Sequence, residues 1–75
     1  MRVGVPKEIK DHEDRVGLVP SSVAELVRHG HEVMIEAGAG LGAGLEDELY
    51  VAAGGRIVAG AEAIFRDAAL IVKVK

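Results

Sequence analysis

Residues 20–36 read Pro-Ser-Ser-Val-Ala-Glu-Leu-Val-Arg-His-Gly-His-Glu-Val-Met-Ile-Glu, and this stretch decides the fold. Pro20 and the pair Ser21-Ser22 open a helix. Ser22 and Glu25 stand at capping-box spacing, and Val23, Leu26 and Val27 form an apolar stripe. Gly30 supplies the left-handed residue that ends the helix. His31 to Glu36 then reads as a strand whose centre, Val-Met-Ile, is continuously apolar. A strand covered on one face alternates; a continuously apolar one is covered on both, as in a parallel sheet.

The same unit recurs outward in both directions. Arg2 to Pro6 is a first strand, with Val3 and Val5 on one face. Beyond Glu36 comes a glycine-rich turn, Gly38 to Gly44. The acids Glu46, Asp47 and Glu48 suit the positive start of a helix, with Leu45, Leu49, Ala52 and Ala53 as its buried face and Gly54-Gly55 as its stop. Arg56 to Val58 is a third strand. Ala61 to Asp67 is a short helix anchored by Ile64 and Phe65, and Ala69 to Val74 is a fourth strand. Strands alternating with short helices predict an α/β fold with a parallel sheet and right-handed crossovers. No repeat, low-complexity segment or linker interrupts the pattern.

Composition narrows the functional classes. The 75 residues contain no cysteine, so neither disulfides nor a cysteine-based zinc site is available. A chain of this length buries only about 60–65% of its unfolded surface, which makes an isolated fold marginal. Net charge is -3 with the signs interspersed, and Tyr50 and Phe65 are the only aromatic residues. That pattern argues against nucleic-acid binding. No apolar run approaches the roughly 18 residues of a membrane span, and the N-terminus lacks a signal-peptide core. The expected location is the cytoplasm.

Three features could carry chemistry. Lys7 to Arg15, KEIKDHEDR, holds seven charges and a histidine, with only Ile9 apolar. A charged loop after the first strand of an α/β sheet sits at the edge where such sheets bind ligands. Arg15 offers a planar fork matched to a carboxylate. The chain stops on ALIVKVK, where alternation puts Lys73 and Lys75 on one face. Lys75 at a strand end could polarise a carbonyl oxygen. Arg15 and Lys75 are thus expected to form half of an anion site, completed by residues that follow. The alternative is Arg15 paired with Glu13 or Asp14, and Lys75 solvated.

The second feature is Gly38-Ala39-Gly40-Leu41-Gly42-Ala43, a match to G-x-G-x-x-A followed by Glu62, the outline of a dinucleotide fingerprint. It follows the second strand rather than the first, and three carboxylates at the next helix start repel phosphate. We expect a tight turn here and no nucleotide. The third feature is the histidines. His29 and His31 flank the helix-ending glycine and are expected in solvent, where His29 suits the negative end of the helix. His12 is a lone loop histidine beside Glu13. No metal site is expected, and Ser21 and Ser22 serve better as caps than as nucleophiles.

MRVGVPKEIK, EDRVGLVP, VAELVRHGHEV, EAGAGLGAG and LIVKVK, in this order and spacing, resemble the N-terminus of the alanine dehydrogenase and transhydrogenase α-subunit family. The similarity covers all 75 residues. Transhydrogenases typically keep lysine at the position of Lys73 and a polar amide at that of Lys75; the KVK ending sides with alanine dehydrogenase. Gly17 stands where the family commonly has alanine, and His12 where asparagine is usual.

The resemblance implies that residues 1–75 are the N-terminal part of a flavodoxin-like, Rossmann-like βαβαβαβ substrate domain, incomplete in this chain. It implies that Arg15 and Lys75 bind the carboxylate and carbonyl of L-alanine or pyruvate. It places the catalytic histidine and aspartate, and an NAD-binding domain, beyond the last residue. It further implies reversible NAD-dependent oxidative deamination of L-alanine by the complete protein, and a homo-oligomer, a hexamer by resemblance. The 75 residues alone are expected to be inactive. A transhydrogenase α-subunit segment and a free-standing, non-catalytic binding module are the alternatives.

Overall fold

The computed structural model describes residues 1–9 and 15–74. Its elements run β1 (Arg2–Val5), α1 (Pro20–Arg28), β2 (Glu32–Glu36), a single 3-10 turn (Leu41–Ala43), α2 (Asp47–Ala52), β3 (Arg56–Val58), α3 (Ala61–Asp67) and β4 (Leu70–Ile71). All four strands are parallel, in the order β3-β2-β1-β4. The α/β parallel-sheet expectation holds.

The pleat divides the sheet into two apolar faces. Val3, Val5, Val33 and Ile35 pack with Val23 of α1 and Tyr50 of α2. On the opposite face Met34 and Val58 pack with Ile64 of α3, joined by Ala68 and Ile71. Register pairs Val3 with Val33, Gly4 with Met34 and Val5 with Ile35, so the two faces stay in step across β1 and β2. The chain steps outward from β1 through β2 to β3, then returns past them to lay β4 on the free side of β1. The order therefore reverses between β1 and β4, and the carboxyl ends of those strands form the natural ligand crevice.

Gly30 ends α1 as its sequence position requires. Its φ is 89°, its N–H donates to Val27 O at 3.0 Å, and His31 N–H donates to Leu26 O at 3.1 Å. This is the paired bonding of a Schellman end.

Several local expectations fail for identifiable reasons. The capping box does not form. Pro20, with its pre-set φ, takes the first helical position, so Val19 is the N-cap and no side chain caps the helix. Ser22 lies inside the first turn, with its N–H on Val19 O at 3.0 Å. In α2 the residue turned inward is Tyr50, fully buried, while Leu49 is 46% exposed and Ala52 also faces out. The glycine turn closes on Leu45 N–H to Gly40 O at 2.9 Å, and α2 begins at Asp47 with Tyr50 as its buried residue. In α3, Ile64 is buried but Phe65 is 58% exposed. Adjacent residues on a helix point about 100° apart, and one short helix over a sheet seats only one of them. β4 is two residues long, though Ala69 N–H to Arg2 O and Val72 N–H to Gly4 O extend its bonding to β1. His31 is half-buried rather than solvent-facing, and its Nδ1 has no hydrogen-bond partner among the described residues.

Tyr50 also ties α2 to the segment before α1, since its hydroxyl donates to Leu18 O at 2.8 Å. Burial, and after it the Asp47 carboxylate, push the phenol upward, so it stays protonated and donating. Tyr50→Phe removes this bond and leaves the Leu18 carbonyl unsatisfied. We expect a loss of about 1 kcal/mol, read as a lower denaturation midpoint at unchanged m; an unchanged midpoint would contradict this account.

Candidate functional site

The two edges of the sheet differ in how their charges are used. At the amino edge, where β1, β2 and β3 begin, Glu32 lies between Arg2 at 3.5 Å and Arg56 at 3.4 Å. His29, at the end of α1, is also on this side and lies 3.3 Å from Glu25. Neither His29 nor His31 reaches the crevice.

At the carboxyl edge β1 runs into Pro6, Lys7 and Glu8. Lys7 N–H donates to Glu36 Oε1, at the end of β2, at 2.8 Å. Glu8 Oε2 accepts the N–H of Val74, just past β4, at 2.9 Å. The exits of three neighbouring strands are thus laced together by two carboxylates accepting from backbone. Gly17 passes close to the Val72 carbonyl, so close that a Cβ there would collide with it.

Two small clefts open on either side of the Lys7-Glu8 pair. One, about 250 Å³, is lined by Arg15 with Gly38, Leu41 and Gly42 of the glycine turn. The other, about 220 Å³, is lined by Lys73 with Ile9, Ala61 and Phe65. Both are at or below the small end of ligand pockets, suited to a metabolite of a few heavy atoms. Arg15 is therefore at the carboxyl edge, as its sequence position predicts. Strand alternation persists as far as Lys73: Val72 packs toward α1 and α2, and Lys73 is exposed on the other side. Lys75, the second expected substrate contact, and His12 lie outside the described residues. The structure brings Arg15 and the β4 exit to one edge.

Sequence reasoning missed Glu8 and Glu36 as organisers of this edge. The available signal was position: Glu8 is three residues past the end of β1, and Glu36 is the last residue of β2.

The glycine turn has a structural reason of its own. Gly38 has φ 81° and Gly44 φ 78°. A Cβ on Gly40 would lie 2.8 Å from the Tyr50 ring, so glycine there admits the tyrosine. Gly38 N–H donates to Asp47 Oδ1 at 2.9 Å. A donor that a fingerprint would aim at pyrophosphate is thus taken by a carboxylate, with Glu48 beside it on a six-residue helix. These residues do not fit a dinucleotide. Titration with NAD is expected to leave the amide signals of Gly40 to Gly44 unshifted; saturable shifts centred there would refute this. Among the described residues no group of three His, Cys, Asp or Glu gathers as a metal site, and no helix is long and apolar enough to cross a membrane.

Comparison with known proteins supplies the context. Residues 4–75 match the family model described as alanine dehydrogenase/PNT, N-terminal domain. The chain is 53% identical to an alanine dehydrogenase of Methanococcus maripaludis and 49% identical to one of Bacillus subtilis, over all 75 residues in each case. It covers 20% of each of those proteins. Among solved structures it superposes on an L-alanine dehydrogenase with a TM-score of 0.94 at 52% identity, spanning 97% of this chain and 20% of that one. It superposes on a transhydrogenase from Sinorhizobium meliloti with a TM-score of 0.88 at 38% identity, spanning 97% and 21%.

Proposed function

Because the chain belongs to the alanine dehydrogenase/PNT N-terminal domain family, we propose that it forms the substrate side of an NAD-dependent L-alanine dehydrogenase. The complete enzyme would convert L-alanine, water and NAD⁺ reversibly to pyruvate, ammonium, NADH and a proton. The chain spans about a fifth of its curated relatives, so the rest of the reaction belongs to residues outside it.

Arg15 is the carboxylate clamp in this reading. Its guanidinium fork matches both oxygens of a carboxylate and stays charged throughout the working pH range. Lys75 is the second contact, an ammonium that holds the carbonyl oxygen of pyruvate and offsets charge developing on it. The observation that carries the proposal is the cleft of about 250 Å³ where Arg15 meets the carboxyl edge beside the strand-order reversal. NAD supplies the hydride acceptor when bound, and its site is proposed to lie in the remainder of the enzyme. A cytoplasmic homo-oligomer, hexameric by resemblance, completes the reading.

The test is alanine-dependent NADH formation by the complete enzyme, with pyruvate and ammonium driving the reverse. Hydride exchange between NAD(H) and NADP(H) without any alanine dependence would point instead to the transhydrogenase branch, whose fold the chain also shares.

A further inference from the structure

We propose that Leu41 is a specificity-determining residue, the aliphatic wall of the cleft that Arg15 lines, which accepts the methyl group of alanine or pyruvate and turns away longer side chains. The inference rests on the assignment of the Arg15 cleft to substrate and adds to it the residue that selects among 2-amino and 2-oxo acids.

Three observations support it. First, the lining of the cleft divides chemically. Arg15, Lys7 and Glu8 make one part charged, and the glycine turn contributes Gly38, Gly42 and Leu41. Among the described lining residues, Leu41 carries the only apolar side chain larger than a methyl group. A three-carbon 2-oxo acid has the matching division, with a carboxylate on one side of its central carbon and a methyl on the other. Second, Leu41 is presented rather than buried, and its backbone is fixed. It is 57% exposed, while Ala39, two residues earlier, belongs to the core. Its N–H donates to Gly38 O at 3.2 Å, and its carbonyl accepts from Gly44 N–H at 3.0 Å. An exposed leucine is ordinary in itself; Leu49, on α2, is one. Leu41 differs in being held by the turn at the mouth of a cleft. Third, the space beside it is kept open. Leu41 Cδ1 lies 3.5 Å from where a Cβ on Gly38 would stand, and Lys7 Nζ lies 3.9 Å from the same point. Gly38 has φ 81°, a conformation that disfavours any side chain there. The leucine tip and the lysine ammonium thus approach one unfilled spot, and a substrate anchored by the cationic heads has its side chain within reach of Leu41.

A selecting role predicts a change in preference rather than a general loss. The measurement is reductive amination of pyruvate and of 2-oxobutyrate, one methylene longer, by the complete enzyme with ammonium and NADH. An apolar pocket discriminates by about tenfold or more per methylene. Leu41→Ala is therefore expected to raise the ratio of kcat/KM for 2-oxobutyrate over pyruvate about tenfold, with KM for NADH unchanged. Leu41→Phe should move the ratio the other way. Leu49→Ala, which removes an exposed leucine from neither cleft, should keep the parental ratio.

Several outcomes overturn the proposal. One is a parental ratio in Leu41→Ala. Another is an equal loss for both substrates, which marks Leu41 as merely structural. A shift in Leu49→Ala as large as that in Leu41→Ala also counts against it, because it reports a general loosening. If Leu41→Ala does not fold, Leu41→Val decides: its ratio should rise in the same direction, and a parental ratio there refutes the wall. A parent enzyme without alanine-dependent NADH formation removes the substrate reading itself. A competent parent whose ratio is untouched by Leu41→Ala removes only the role of Leu41.

Discussion

Replacing Gly4 by valine is expected to abolish cooperative folding. By strand propensity the change is favourable, since β-branched residues outrank glycine on a scale spanning about 1 kcal/mol. The packing says otherwise. Gly4 lies in the central pair of strands, registered with Met34 on one side and Ile71 on the other. A Cβ there would stand 2.5 Å from Ile64 Cγ2 and 2.8 Å from Ala68 Cβ. Neither neighbour is the tip of a flexible side chain: Ile64 is fully buried and Ala68 follows the end of α3. Relief requires lifting α3 off the sheet, which opens the cluster of Met34, Val58 and Ile64 to water. Overpacking by a methylene or two costs about 1–3 kcal/mol, and valine adds three carbons into a closed contact. A domain this small has little reserve. The measurement is the thermal or denaturant transition followed by circular dichroism, and a midpoint equal to that of the parent would sink the argument. Adding Ile64→Ala should recover part of the loss, because it removes the atom first struck.

The second large effect is on binding. Arg15→Ala in the complete enzyme is expected to raise KM for pyruvate and for alanine by at least about tenfold, with KM for NAD unchanged. A charge-assisted hydrogen bond contributes roughly 1.5–3 kcal/mol, or about one to two decades in affinity. Arg15→Lys should recover only part of this, since a point charge replaces the fork. Parental Michaelis constants for both substrates in Arg15→Ala would remove Arg15 from the site.

How much of this was legible in the sequence follows from the range of the interactions. Features set by one or two neighbouring residues were readable: Gly30 as a helix end, Arg56 to Val58 as a strand, Val3 and Val5 on one face. The parallel sheet was readable because a continuously apolar strand such as Val33-Met34-Ile35 needs cover on both sides. What failed depended on which of two adequate residues the tertiary structure selects. Pro20 displaced Ser22 from the cap, Tyr50 displaced Leu49 from the core, and Ile64 displaced Phe65. At the carboxyl edge, Arg15 was readable as a candidate because its chemistry is distinctive there, and it lines a cleft at that edge. Glu8 was not, because its partner is a backbone N–H 66 residues away, and a backbone partner leaves no mark in the side-chain pattern.

That long separation bears on the order in which the sheet assembles. β1 acquires β2 across a loop like the 29 residues between Lys7 and Glu36, but acquires β4 only across one like the 66 between Glu8 and Val74. Loop-closure entropy makes the second step dearer by roughly 0.7 kcal/mol, before any contact repays it. β1, α1 and β2 are thus the natural nucleus, and β4, with two residues of strand to offer, joins late. The β4 side of the carboxyl edge is therefore expected to dock last and to be released first in a partial opening. Amide exchange should run faster at Val72 and Val74 than at Val33 or Ile35.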